Sequence, residues 1–92
     1  MKKKHIDHLV CSMGEVIGDY LDAGYPYESI GEVIECNIGE YVTSEDITVD
    51  YNELATALQK RITTCSEGWT LDEIRFFKKF FEKYGVAFEV KV

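Results

Sequence analysis

His5, His8 and Cys11 are the residues whose types and spacing come nearest to chemistry. Imidazole nitrogen and thiolate sulfur are common zinc ligands, and a zinc site needs four such groups, or three and a water. At i and i+3 the two imidazoles share a helix face. Cys11 lies a further turn away, and nothing later in the chain supplies a fourth ligand. No Ser or Cys has a His and an acid placed to activate it as a nucleophile. Both histidines fall within the first eight residues. The seven glycines are scattered, so no loop can cradle a phosphate. Carboxylates abound, but none stands in the apolar setting that acid–base catalysis needs. The expectation is a non-enzyme: no catalytic residue, no metal, no cofactor.

What remains is charge, and its layout carries more than its total. The 92 residues hold 17 Asp and Glu against 10 Lys and Arg, a net charge of −7. From His5 through Gln59 there is no Lys or Arg, a run of 55 residues. That run holds twelve acids: Asp7, Glu15, Asp19, Asp22, Glu28, Glu32, Glu35, Glu40, Glu45, Asp46, Asp50 and Glu53. From Lys60 onward the balance reverses, with seven basic residues against five acidic ones. An acidic face cannot gather the phosphate contacts that supply most nucleic-acid affinity. It can occupy a basic groove that normally holds nucleic acid. The partner-binding candidates are therefore Glu28, Glu32, Glu35, Glu40, Glu45, Asp46 and Asp50 on the acidic side, and Arg75, Lys78, Lys79 and Lys83 as a basic stripe. The plain alternative for both sets is a solvated surface that keeps a small protein soluble.

These residues must be positioned by one domain spanning residues 1–92, since the chain is too short for more. Apolar content of 46% and charged content of 29% mark it as globular. MKKKHIDHLV opens like the basic region of a signal peptide, but Asp7, Glu15, Asp19 and Asp22 interrupt any apolar run. No stretch approaches the ~18 apolar residues of a membrane span. A cytoplasmic protein without membrane contact is expected. Three cysteines, Cys11, Cys36 and Cys65, with no C-x-x-C, fit reduced, partly buried thiols.

Residues 5–23 read as an amphipathic helix with Ile6, Leu9, Val10, Met13, Val16, Ile17, Tyr20 and Leu21 on its apolar arc. Gly14 and Gly18 beside that arc suggest close approach of another backbone, and Gly24 suggests a C-terminal cap. Residues 26–42 stay open between a helix and a hairpin turning at Asn37-Ile38-Gly39. Residues 47–49 are expected to be extended. Asp50 with Glu53 heads a helix that turns Leu54, Ala55, Leu58 and Ile62 inward. Thr70 with Glu73 forms a capping box before an apolar run that Gly85 stops. Val86, Phe88, Val90 and Val92 alternate with Ala87, Glu89 and Lys91, the pattern of a half-buried strand. A strand needs a partner, and only the 28–50 region could supply one. The expected fold is α+β, about three helices packed on a small antiparallel sheet that includes the C-terminal strand 86–92.

Two resemblances follow. In GYPYESIGEVIECNIGEYV, residues 24–42, Tyr27, Glu28, Ile30, Glu32, Val33, Ile34, Ile38 and Gly39 match the loose pattern of the helix-turn-helix in sigma-factor region 4, with Gly31 in place of its small Ala. That resemblance implies a DNA-binding regulator. Glu35, however, stands where the turn glycine belongs, and NIGEYVTSED, in the place of the recognition helix, has three acids and no base. Like charge against a phosphate-lined groove argues against direct specific DNA binding. Over the whole chain, small size, acidic bias and the lack of a catalytic site resemble the phage anti-CRISPR proteins. Those proteins share no diagnostic motif, so no residue role is carried over. The resemblance implies an inhibitor that binds a CRISPR surveillance complex, Cascade ahead of Cas9, and blocks target DNA in the host cytoplasm. The acidic residues would then sit against Lys and Arg of a basic groove. The Arg75–Lys83 stripe would touch an acidic subunit or guide RNA. An antitoxin-like partner of a basic toxin has the same charge logic.

Overall fold

The computed structural model describes residues 2–64 and 69–90. It contains four helices, α1 (Lys3–Asp22), α2 (Tyr27–Glu45), α3 (Tyr51–Thr64) and α4 (Leu71–Glu82), and no strand among the described residues. The fold is all-helical, which corrects the α+β expectation. The chain divides into two compact units, Met1–Asp50 and Tyr51–Val92.

In the first unit α1 and α2 pack on each other as a helical hairpin. Leu9, Val10, Met13 and Ile17 bury one stripe of α1, and Ile30, Ile34 and Ile38 bury one row of α2. Each such side chain contributes about 1.5–3 kcal/mol when removed from water. Gly24, at φ 84°, turns the chain out of α1. Its N–H bonds Leu21 O and the Tyr25 N–H bonds Tyr20 O, the paired bonds of a Schellman cap. Asp46, at φ 54°, ends α2 in the same way, with its N–H on Thr43 O and the Ile47 N–H on Val42 O. No glycine announced that second cap, so the helix runs past the Val42 limit read from the sequence.

Residues 27–45 form one unbroken helix, which removes the hairpin. The same helix occupies the positions that the sigma-factor resemblance divides between two helices and a turn. Glu35 lies inside it, in ordinary helical backbone. The reason is the spacing of Ile30, Ile34 and Ile38: four-residue steps keep one row facing α1, whereas a turn at Asn37-Ile38-Gly39 would pull Ile38 off it. Interior glycines cost a helix about 1 kcal/mol each, less than that buried row contributes. Gly18 serves no close approach, because a Cβ built there meets nothing within 4 Å.

The second unit is built on aromatic rings. Thr70 caps α4 with both bonds of the capping box: the Glu73 N–H donates to Thr70 Oγ1 at 3.2 Å and the Thr70 N–H donates to Glu73 Oε1 at 3.0 Å. Phe76, Phe77, Phe80 and Phe81 are buried. After α4 the Gly85 N–H bonds Glu82 O and the Val86 N–H bonds Phe81 O, a third Schellman cap, with Gly85 at φ 70°. Residues 86–90 then run outside any strand, and the rest of the expected 86–92 strand lies outside the described residues. Their alternation is real: Val86 and Phe88 are buried while Ala87 and Glu89 are exposed. Phe88 stacks on Phe81 at 5.4 Å and meets Phe77 at 6.1 Å. Alternation thus records a ribbon laid over a ring cluster. Its Ala87 carbonyl accepts a 3.3 Å hydrogen bond from Gln59 Nε2, and no strand lies beside it among the described residues.

Candidate functional site

Charge separates with the two units. The first carries eleven acids against three lysines, a net of −8; the second carries seven cations against six acids, a net of +1.

On α2, Glu28, Glu32 and Glu35 fall within an arc of about 60° at 3.6 residues per turn. The buried isoleucine row lies on another side. Glu28, Glu32, Glu40 and Glu45 are exposed, as are Asp46 and Asp50 beyond the helix, and Glu35 is half-buried. Hydrophobic periodicity places these carboxylates: burying Ile30, Ile34 and Ile38 leaves the opposite face to solvent. The structure thus gathers Glu28, Glu32, Glu35 and Glu40 on one outward surface, with Glu45 and Asp46 at the helix end.

At the open end of the hairpin the sequence reading missed a cluster. His8 is exposed, but His5 in the first turn of α1 is only 5% exposed. A 2.8 Å hydrogen bond joins its Nδ1 to the Tyr41 hydroxyl across 36 residues. His8 stacks flat on the Tyr41 ring at 4.1 Å. Ile6, Leu9 and Tyr41 all lie on apolar arcs, and His5, one turn before Leu9, continues the α1 arc; that helical position was the usable signal. Burial pushes the Tyr41 phenol above its ordinary ionisation range, and the negative charge of Glu45 adds to the effect. Both rings are therefore occupied by contacts that hold the two helix ends together. No group of three or more His, Cys, Asp or Glu residues suited to a metal occurs among the described residues.

Lys2, Lys4, His5, Glu45, Ile47 and Thr48 line an open cleft of about 580 Å³ beside this cluster. Lysines in a first helical turn and a glutamate in a last one each oppose their own helix dipole. Across an antiparallel hairpin each also faces the favourable end of its neighbour, so the misplacement on one helix is offset by the other.

In the second unit Arg75, Lys78, Lys79 and Lys83 are all exposed; the first three lie on the side of α4 away from its phenylalanines, and Lys83 is its C-cap. Arg75 pairs with Asp72 of its own helix at 3.8 Å, both side chains well exposed. Lys83 Nζ stands 6.0 Å from the Tyr84 ring, which stacks on Tyr51 at 3.9 Å. Phe76 is buried and Trp69 is half-buried against Phe77, so these aromatics serve the core. Cys11 and Cys36 are in no disulfide and are exposed, against the expectation of partial burial; Cys65 lies outside the described residues. No described helix is long and apolar enough to cross a membrane. No protein-family model matches the chain, and no curated protein or solved structure matches it either.

Proposed function

We propose that this protein is a protein-binding inhibitor whose acidic helical hairpin occupies a basic, nucleic-acid-binding groove on its target. One observation carries the reading: the outward face of α2 presents Glu28, Glu32 and Glu40 to solvent with no Lys or Arg anywhere on the helix. Such a face repels phosphate and attracts the lysines and arginines that hold it. Electrostatic complementarity of this kind raises association rates and makes binding salt-sensitive. The unbroken course of α2 leaves no separate recognition helix in residues 24–42, which works against a DNA-reading role for that segment. The whole-chain resemblance to anti-CRISPR proteins points to a CRISPR surveillance complex as the target, with Cascade first and exclusion of target DNA as the mode of action. The basic stripe of α4 would make a separate contact, with an acidic subunit or guide RNA.

The test is a gel-shift assay in which purified Cascade binds target DNA with and without the protein. Inhibition that is lost in the Glu28→Lys, Glu32→Lys, Glu40→Lys triple variant, with helicity unchanged, supports the reading. A triple variant that inhibits as well as the parent removes the acidic-face mechanism. A parent that leaves both Cascade and Cas9 unaffected removes the target assignment.

A further inference from the structure

The cleft at the open end of the hairpin, lined by Lys2, Lys4, His5, Glu45, Ile47 and Thr48, has no part in the inhibitor reading. The geometry points to this cleft as a binding site for a small zwitterion, a molecule with an anionic group at one end and an ammonium at the other. The inference is independent of the inhibitor reading, which rests on the outward face of α2 and on a macromolecular target.

The cleft has two facing poles. The His5 and Ile6 N–H groups both bond Lys2 O. The Lys3 and Lys4 N–H groups ahead of them have no backbone partner among the described residues, and Lys2 at the N-cap supplies no side-chain bond. Lys2 and Lys4 add two ammonium groups to this positive end of α1. Opposite them, Glu45 adds a carboxylate to the carbonyl end of α2. A helix N-terminus with cations takes an anionic group, and a helix C-terminus with a carboxylate takes a cationic one.

The poles do not cancel by contact. Lys2, Lys4 and Glu45 line one cleft, yet they form no ion pair with each other among the described residues. The Thr48 hydroxyl makes no hydrogen bond there either. The cleft between these groups measures about 580 Å³, within the range of about 300–1,000 Å³ usual for small-molecule sites.

His5 supplies a third, independent observation. Its ring is 5% exposed and its Nδ1 is held by the Tyr41 hydroxyl. Its Nε2 has no partner among the described residues. No buried side-chain nitrogen or oxygen lacks a partner among them, so Nε2 is not sealed in; it opens on the cleft that His5 lines. Where Nδ1 accepts from Tyr41, Nε2 carries the proton and donates to an anion; in the other tautomer Nε2 accepts from an ammonium. Either role suits a zwitterion, and the buried ring fixes where it is played.

Other charge classes fit less well. A polyanion is repelled by a unit of net charge −8. A lone cation meets Lys2 and Lys4, and a lone anion meets Glu45. A zwitterion is neutral as a whole and satisfies both poles, and half-buried Ile47 offers apolar surface to the methylenes between its charges.

Amide-resolved NMR titration of the purified protein tests this. The probes are glycine, β-alanine, γ-aminobutyrate and ε-aminocaproate, whose charges stand progressively farther apart, with propionate and propylammonium as single-charge references. The best-fitting zwitterion should bind with a dissociation constant of about 1–10 mM and should move the amide signals of residues 2–5 and 45–48. Propionate and propylammonium should bind about fivefold more weakly, since each lacks one exposed ion pair. In Glu45→Gln the zwitterion should fall to the level of propionate. In the Lys2→Gln, Lys4→Gln variant it should fall to that of propylammonium. Asp19→Asn, a change of the same kind elsewhere on α1, should bind as the parent does. All four side chains are exposed, and circular dichroism checks the helices of each variant. No shift with any of the four zwitterions up to about 50 mM overturns the inference. So does propionate binding as tightly as the best zwitterion, a Glu45→Gln or double-lysine variant that binds like the parent, or an Asp19→Asn loss as large as that of Glu45→Gln.

Discussion

The two units solve the same problem with different materials. The hairpin of Met1–Asp50 buries aliphatic side chains between two long helices and sets its predominantly negative charge on the outside. Tyr51–Val92 buries rings: Phe76, Phe77, Phe80, Phe81 and Phe88, joined edge to face, stacked or tilted at 5.3–6.1 Å. Long helices give a hairpin contact length enough for isoleucine rows, and a wide outward face is left over. The 12-residue α4 has less length to offer, so it relies on larger side chains and on a well-made N-terminus. The contrast teaches where function can be carried cheaply. Surface charge on α2 can be changed with little cost to packing, since α2 buries three of its 19 residues, whereas α4 buries five of its 12.

Removing a ring from the second unit should have the largest effect. Phe81→Ala takes a fully buried ring from between Phe80 and Phe88 and should cost about 3–5 kcal/mol in chemical denaturation. The matching truncation in the hairpin, Ile34→Ala, should cost about 2–5 kcal/mol, and the difference between the two measures how much more the second unit depends on single side chains. Thr70→Ala removes the side-chain half of the capping box and should cost about 1 kcal/mol, read as a lower denaturation midpoint with unchanged slope. The hairpin should answer in the opposite direction to Gly39→Ala. A Cβ there meets nothing within 4 Å, so the change should stabilise α2 by about 0.5–1 kcal/mol; a loss would show that the open space is used.

The smallest effect concerns Tyr41. Its phenol is held above the ordinary tyrosine range by burial and then by Glu45. As alkali passes the ordinary value, unfolded chains ionise first and the folded state loses stability; below that value Tyr41 contributes no pH dependence. Ultraviolet titration should show one tyrosine step on the high side that disappears in Tyr41→Phe and moves down in Glu45→Gln.

Much of this was legible. Thr70 and Glu73 announced their cap, Gly24 and Gly85 their turns, and the apolar arc of α1 its buried face, because each signal is local. The exposure of Arg75, Lys78 and Lys79 on α4 was legible for the same reason, whereas the outward face of α2 existed only once packing had made residues 27–45 one helix. His5 with Tyr41 was not legible, since only tertiary packing joins residues 36 positions apart.

The sequence by itself determined where charge would lie, which residues would be apolar on each helix, and where α4 would begin. Only the tertiary structure decided the state of residues 27–45 and 86–90. In the first, β-branched residues and glycines suit a hairpin as well as a helix, and packing of an isoleucine row on α1 selects the helix. In the second, alternation states which side of an extended chain is buried. It cannot state whether the backbone bonds a strand or water, and the ring cluster beneath Phe88 makes the strand unnecessary.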